Sequence, residues 1–228
     1  MCHGTGLHVT RDTPSGVTPL SGIMLTSRYK DSLNRALRPL ATPFVHLGFS
    51  PSFLTLAGVV LVSLICLWFL TSRDVLPFCL AVLAAGGLDA LDGAVARATG
   101  RVTKFGSYLD AMCDRYVETI IVITVAAVTG YWLLSAAVLS GALLVSYAKA
   151  RTSMEVSISN QEWPDLMERP ERSLLYLAGL AAGGSLSWRP MGRDLFWWTL
   201  AGIAVLTHVT VLQRVLRAGR LIRKRSGS

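Results

Sequence analysis

Hydrophobic positions divide the chain into an amphipathic stretch at 26–47 and six long apolar runs joined by short polar connections. The runs lie at about 52–71, 75–97, 104–128, 131–151, 172–188 and 194–216. Each is close to the ~20 residues that an α-helix needs to cross a bilayer. No internal repeat is visible along the chain. The pattern therefore predicts a single-domain, all-α integral membrane protein with six transmembrane helices.

The first of these stretches has a different pattern from the apolar runs. Between 26 and 47, basic residues such as Arg28, Lys30, Arg35 and Arg38 alternate with leucines and other apolar residues. This alternation predicts an amphipathic helix that lies on the membrane surface ahead of the first span. Residues 1–25 are rich in Gly, Thr and Pro and have no apolar core, so we expect a disordered leader rather than a signal peptide.

Composition and charge support a membrane protein. Of 228 residues, 52% are hydrophobic and only 16% are charged, whereas a soluble domain usually has about 25% charged residues. The formal net charge is +8, but most basic residues lie beside apolar runs, where they would meet anionic lipid headgroups. We therefore expect membrane lipids, and no nucleic acid, as the partners of this charge.

The basic residues also predict an orientation, because loops rich in Lys and Arg face the cytoplasm. One side of the predicted bundle has the basic stretch 26–47, the tail 219–228 and the following loop residues: Arg97, Arg101, Lys104, Lys149, Arg151, Arg169 and Arg172. The loops of the other side have only Arg73, Arg189 and Arg193. We expect a multi-pass plasma-membrane protein whose termini both face the cytoplasm, with 26–218 as the membrane domain and 219–228 as a basic cytoplasmic tail.

Four aspartates interrupt the second and third apolar runs near their predicted cytoplasmic ends. Asp89 and Asp92 are spaced i, i+3 and Asp110 and Asp114 i, i+4, so each pair shares one helix face. A short connection would fold the two helices back on each other and bring the pairs together. Two carboxylates ~4 Å apart repel by about 4 kcal/mol at an effective dielectric constant of 20. The cluster must therefore take up protons or bind cations.

Three interpretations of the cluster remain open on residue types alone. Oxygen ligands favour Mg²⁺, Mn²⁺ or Ca²⁺, and two such ions on four carboxylates match the two-metal arrangement used for displacement at phosphorus. Membrane acids also act as proton relays in transporters. As a third possibility, the aspartates form structural ion pairs with Arg97 and Arg115.

The spacing of the cluster resembles the full signature of the CDP-alcohol phosphotransferases. The pattern is Asp89-x-x-Asp92-Gly93-x-x-Ala96-Arg97, eight residues, then Gly106-x-x-x-Asp110-x-x-x-Asp114. The resemblance implies that an alcohol displaces CMP from a CDP-linked lipid. It also implies that the four aspartates hold two divalent ions, Mg²⁺ or Mn²⁺, and that Asp114 is in addition the catalytic base. Residues Gly93, Ala96, Arg97 and Gly106 would surround the CDP group.

Three further basic residues, Lys149, Arg169 and Arg214, lie near predicted cytoplasmic helix ends. With the segment CDRY at 113–116, they resemble the phosphate pocket of the phosphatidylinositol-phosphate synthases and their archaeal counterparts. This resemblance implies CDP-diacylglycerol or CDP-archaeol as donor, inositol phosphate as acceptor, and a homodimer. Ordinary positive-inside anchoring explains the same three residues equally well.

Two other functions stay open at this point. Within the family, a phosphatidylglycerophosphate or cardiolipin synthase has the same aspartate signature. Outside it, a non-enzymatic cation-coupled transporter would also place acids in a membrane helix, but the chain shows no inverted repeat of the kind common in transporters.

Overall fold

A computed structural model describes residues 51–98, 103–157 and 169–226, with the backbone alone at 51, 88–98 and 226. The predicted leader at 1–25 and the predicted surface helix at 26–47 lie outside these residues. The described part contains six α-helices, one short 3₁₀ turn at Pro190–Gly192, and no strand. The helices are α1 Pro51–Ser72, α2 Val75–Ala98, α3 Lys104–Thr129, α4 Trp132–Glu155, α5 Arg169–Ser185 and α6 Leu195–Ser226. The prediction of an all-α protein is confirmed for this part of the chain.

Each predicted apolar run coincides with one of these helices, and four helix ends differ from the prediction by three residues or more. Helix α4 continues to Glu155 rather than 151, and α5 spans Arg169–Ser185 rather than 172–188. Helix α5 already includes Arg169, three residues before the predicted 172, and Pro170 and Glu171 suit an early helical turn. Helix α6 continues ten residues past 216 to Ser226. Its last turn contains Arg223, Lys224 and Arg225, which interact favourably with the negative end of the helix dipole. The segment assigned to a tail is thus helical as far as Ser226.

Three described helices are long and apolar enough to cross a membrane: Ser52–Ser72, Trp132–Glu155 and Leu195–Arg225. They identify the chain as a membrane protein. In α2 the apolar part, Val75–Gly87, is shorter. Helix α5 has 17 residues, about 26 Å at 1.5 Å per residue, against ~30 Å of hydrocarbon. Crossing by all six helices stays a prediction.

The buried core contains side chains from all six described helices, most of them from α1, α2, α5 and α6. The rings of Phe69 and Phe78 stack with centroids 4.0 Å apart and join α1 to α2. The ring of Tyr176 in α5 meets the edge of Phe196 in α6 at 5.3 Å. Helix α1 also packs against α3, so one helix supports both of the helices that contain the aspartates.

The end of the bundle opposite the aspartates is held by a small polar network. The carboxylate of Asp194 accepts a hydrogen bond from the backbone N–H of Trp197 at 2.8 Å, which caps the start of α6. Its other oxygen accepts from the Tyr131 hydroxyl at 2.6 Å. Arg193 lies 5.6 Å from the ring centre of Trp197. The turn between α3 and α4 is therefore tied to the start of α6.

Helices α4 and α6 lie close together at Gly141, which gives a test of the packing. A Cβ atom there would lie 2.4 Å from Thr207 Oγ1 and 2.8 Å from Thr207 Cβ. Thr207 cannot move easily, because it is fully buried and its hydroxyl donates to the backbone of its own helix. We expect Gly141→Ala to lower stability by about 1–3 kcal/mol, the usual effect of overpacking, measured as thermal unfolding in detergent.

The matched control is Gly202→Ala in α6, where nothing lies within 4 Å of the added Cβ. Because Ala is the better helix former by up to ~1 kcal/mol, this variant should be as stable as the parent or slightly more so. Equal unfolding temperatures for Gly141→Ala and Gly202→Ala would contradict the α4–α6 packing.

Candidate active site

The helices that contain the four aspartates are joined by a five-residue connection, between Ala98 at the end of α2 and Lys104 at the start of α3. Asp92 lies six residues before the end of α2, and Asp110 lies six residues after the start of α3. At 1.5 Å per residue, both are about 9 Å from the connection. Asp89 and Asp114 are nine and ten residues away, at about 14–15 Å. If the two helices fold back on each other, Asp92 would lie at the same distance along the bundle as Asp110, and Asp89 at the same distance as Asp114.

The side chains on the α2 half of this motif lie outside the described residues. Asp89, Asp92, Gly93, Ala96 and Arg97 are all in the helical segment 88–98, of which only the backbone is described. Their convergence with α3 stays a prediction.

A threonine cap fixes where α3 begins. Thr103 has extended backbone angles, and its hydroxyl accepts a hydrogen bond from the N–H of Gly106 at 2.9 Å. A Cβ atom at 106 would lie 3.0 Å from that hydroxyl oxygen, so the predicted CDP-binding glycine also leaves room for the cap. Because the cap sets the start of α3, it also sets the positions of Asp110 and Asp114 along the helix axis, about two and three turns further along.

Asp110 and Asp114 lie one turn apart on α3, and both are half-buried. Asp114 Oδ1 forms an ion pair with Nη1 of Arg169, the first residue of α5. The two side chains are 17% and 29% exposed, respectively. The structure therefore brings Arg169, one of the three predicted phosphate-binding residues, into contact with Asp114, the predicted base.

A second, deeper ion pair lies one turn further along both helices. Arg172 of α5 donates to Glu118 Oε1 of α3 from Nε at 2.8 Å and from Nη2 at 2.5 Å. Arg115 donates to the other oxygen, Oε2, at 2.8 Å. The side chains of Arg172 and Glu118 are 4% and 11% exposed.

These two pairs form what we call the ion-pair ladder, Asp114–Arg169 and Glu118–Arg172. The acids are four residues apart on α3 and the arginines three apart on α5, so each set occupies one helix face. Both sets occur in the same order along the chain, which requires α3 and α5 to run in the same direction. That direction is expected for two membrane helices separated by one other.

Lys149 and Arg214 belong to a different contact, between α4 and α6. Arg214 is 4% exposed and donates from Nη1 to the backbone oxygen of Val145. Lys149 is half-buried and lies one turn beyond Val145 on the same face of α4. The structure thus brings Lys149 and Arg214 to one helix interface and Arg169 to another, and the meeting of all three at one phosphate stays a prediction.

A cavity of about 460 Å³ opens between α1, α2, α3 and α5. Its walls are mostly apolar, with Val62 from α1, Val82 and Ala85 from α2 and Val122 from α3. One part of its lining is charged, formed by Glu118, Arg169 and Arg172 of the ladder. A space with apolar walls and a charged margin suits an amphiphile rather than a fully water-soluble ligand.

Comparison with known proteins then decides the family. The model of the CDP-alcohol phosphatidyltransferase family matches residues 49–209. The chain belongs to the CDP-alcohol phosphatidyltransferase family. It is an enzyme of phospholipid biosynthesis, and the alternative of a non-enzymatic transporter is set aside.

Two relatives represent the archaeal and the bacterial members of this family. An archaetidylinositol phosphate synthase of Pyrococcus horikoshii is 31% identical over 198 residues, which cover 85% of this chain and 96% of the relative. A phosphatidylinositol phosphate synthase of Mycobacteroides abscessus is 30% identical over 195 residues, 82% of this chain and 84% of the relative.

Solved structures agree on the fold. The phosphatidylinositol phosphate synthase of Mycobacterium tuberculosis with CDP-DAG bound superposes with a TM-score of 0.71 at 23% identity, over 81% of this chain and 94% of that one. The same protein in complex with manganese and citrate gives a TM-score of 0.70 over 80% and 88% of the two chains. The transferase fold is thereby shown for this family member.

The residues of this CDP-alcohol phosphatidyltransferase fit a hard divalent cation. Within the described ranges, no group of three or more acidic, His or Cys side chains is formed; the side chains of Asp89 and Asp92 lie outside those ranges. The predicted donor set is all carboxylate oxygen, which suits Mg²⁺ or Mn²⁺. Asp114 forms an ion pair with the Arg169 guanidinium, as expected of a carboxylate that is largely buried.

Sequence reasoning did not find the Glu118–Arg172 pair. The sequence pattern places Arg172 only among the basic residues of the predicted cytoplasmic loops. It offers Arg115 only as a partner for the aspartates, whereas Arg115 donates to Glu118. Two spacings contained the signal: Glu118 is i+4 from Asp114, and Arg172 is i+3 from Arg169. The pairing depends on α3 lying beside α5, which a single sequence does not show.

The carboxylate cluster predicts that the transferase requires a divalent ion. Excess chelator should abolish CMP release, and Mg²⁺ or Mn²⁺, added separately, should each restore it, because four acids that converge as predicted would repel one another without a cation. The measurement is CMP release in detergent micelles containing a CDP-linked lipid. Full activity in excess chelator would refute the cation requirement.

Proposed function

We propose that this enzyme transfers a phosphatidyl-type group from CDP-diacylglycerol or CDP-archaeol to a hydroxyl of an inositol phosphate and releases CMP. The observation behind the proposal is the contact between Arg169 and Asp114. An arginine fork binds phosphate well. An acceptor whose phosphate is bound by Arg169 would therefore hold its hydroxyl close to the Asp114 carboxylate.

The roles of the chain's residues in this reaction follow from where they lie. Asp114 would accept the proton of the acceptor hydroxyl. At the same time the hydroxyl oxygen would form a bond to the lipid-linked phosphorus, and the bond between that phosphorus and the CMP oxygen would break. Asp89, Asp92, Asp110 and Asp114 would hold two divalent ions. When bound, such ions neutralise the diphosphate and stabilise CMP as leaving group. Positioning of the two substrates supplies much of the remaining rate enhancement.

The donor lipid would bind across the α2–α3 motif and the apolar cavity. Gly93, Ala96, Arg97 and Gly106 would surround the CDP group, since small residues let a bulky polar ligand approach the helix backbone. The cavity supports a lipid substrate, because its apolar walls end at the charged ladder beside Asp114. Diacylglycerol and archaeol chains would both suit apolar walls of this kind.

We further propose that the site and both termini face the cytoplasm, where the basic residues cluster, and that the enzyme is a homodimer with one site per protomer.

Relatives named for inositol phosphate products support the acceptor. The phosphatidylglycerophosphate alternative shares the need for a phosphorylated acceptor, so Arg169 would serve it equally.

Asp114→Asn tests the base directly. The amide cannot accept the proton at neutral pH, so we expect turnover to fall by at least about 100-fold, within the range of general-base losses. Binding of the CDP-lipid, measured by calorimetric titration in the presence of Mg²⁺, should remain detectable because three aspartates are unchanged. Near-normal turnover would remove Asp114 as the base.

Arg169→Ala and Lys149→Ala test the phosphate pocket. They should disturb packing less than a substitution at Arg214, because the Arg214 side chain is buried. A charge-assisted hydrogen bond is worth about 1.5–3 kcal/mol, so each variant should lower kcat/KM for the acceptor by roughly 10- to 150-fold. The KM for the CDP-lipid should stay within about twofold. Arg220→Ala, exposed on α6, is the control and should leave both constants unchanged.

If Arg169→Ala and Lys149→Ala leave acceptor kcat/KM unchanged, the phosphate pocket is wrong. The enzyme would then use an acceptor without a phosphate, and only the CDP-lipid half of the proposal would stand.

A further inference from the structure

Glu118 is a membrane-helix carboxylate outside the aspartate signature. Both of its oxygens accept charged hydrogen bonds, Oε1 from Arg172 and Oε2 from Arg115, at 2.5–2.8 Å. It lies one turn from Asp114 on the same face of α3. Arg172, in turn, lies one turn from Arg169 on α5.

These contacts leave Glu118 and Arg172 little capacity for a direct role in the reaction. A carboxylate whose two oxygens already accept hydrogen bonds from arginines has little capacity left for a metal ion. Arg172 directs two of its donors at Glu118 and is 3% exposed as a residue. The outer pair is more exposed, with side chains at 17% and 29%, and is therefore more open to a ligand than the inner pair.

We infer that Glu118 is a positioning residue: through Arg172 it holds α3 and α5 in the register that places Asp114 beside Arg169. This inference rests on the proposed roles of Asp114 and Arg169 in the transfer. Asp114 follows any rotation or shift of α3, and Arg169 follows any shift of α5. The inner pair therefore sets the geometry of the outer pair.

A purely structural ion pair would give a different result from a positioning one. Loss of a structural pair lowers the amount of folded enzyme and leaves the kinetic constants of the folded fraction unchanged. Loss of a positioning pair changes the constants of folded enzyme, and chiefly those that depend on Asp114 and Arg169. Misplacement of a reacting group by about 1 Å can cost around 100-fold in rate.

The experiment is a double-mutant cycle on the full-length enzyme with Glu118→Gln, Arg172→Gln and the combined variant. Each protein is first shown to be folded by size-exclusion chromatography and thermal unfolding in detergent. CMP release then gives kcat and KM for both substrates, and calorimetric titration gives CDP-diacylglycerol binding. Glu155→Gln is the matched control, because it removes an exposed pair with Arg151 at 2.7 Å on α4.

We expect Glu118→Gln to lower kcat about 10- to 100-fold and to raise the KM for inositol phosphate about 10-fold, while CDP-diacylglycerol binding changes less than about twofold. Because Glu118 acts through Arg172, the double variant should be no worse than the more impaired single variant. Glu118→Asp keeps the charge on a side chain one methylene shorter and should restore part of kcat. Glu155→Gln should match the parent.

Unchanged constants in folded Glu118→Gln, or losses that multiply in the double variant, would overturn the inference. So would a failure of both Glu118→Gln and Glu118→Asp to fold, because the pair would then be structural. A parent enzyme that releases no CMP with any acceptor would instead reject the proposed function, which keeps the two failures distinct.

Discussion

A carboxylate inside a membrane helix must be met by a cation, and that constraint organises the functional end of this protein. Asp114 and Glu118 occupy one face of α3, and both find arginines on α5. Removal of one partner from a buried pair leaves an uncompensated charge, which typically costs 3–5 kcal/mol. The two pairs occur in the same order on both helices, so they hold α3 and α5 in one relative position. That position sets where Asp114 and Arg169 lie in the site.

The rest of the bundle supports this arrangement from both sides. Helix α1 packs on α2 and α3 and holds together the two helices of the aspartate signature. Helix α6 packs on α4 and α5, with glycines at the closest approaches; a Cβ at Gly179 would lie 2.4 Å from Thr199. Between these layers the apolar cavity reaches the ladder, so a lipid and a phosphorylated alcohol would meet at the same charged edge.

Much of the fold could be predicted from the sequence, because each apolar run of about 20 residues can become only a helix in a bilayer. Errors arose at polar helix ends: α5 begins at Arg169 and α6 reaches Ser226, where hydropathy no longer marks the boundary. The aspartates were identified by their spacing. Glu118 and Arg172 were missed because their partnership joins residues 54 apart, and no local pattern encodes the contact between α3 and α5.

The central claim is that a lipid-linked phosphoryl group is transferred to a phosphorylated inositol. The most direct measurement supplies the parent enzyme with CDP-diacylglycerol or CDP-archaeol, Mg²⁺ and one acceptor at a time: inositol phosphate, glycerol 3-phosphate, serine or unphosphorylated inositol. CMP release and the mass of the lipid product are recorded together. With inositol phosphate, we expect CMP and a phosphatidylinositol-phosphate-type lipid to form in equimolar amounts. Unphosphorylated inositol should be a poor acceptor. Efficient turnover with serine or inositol, and none with inositol phosphate, would contradict it.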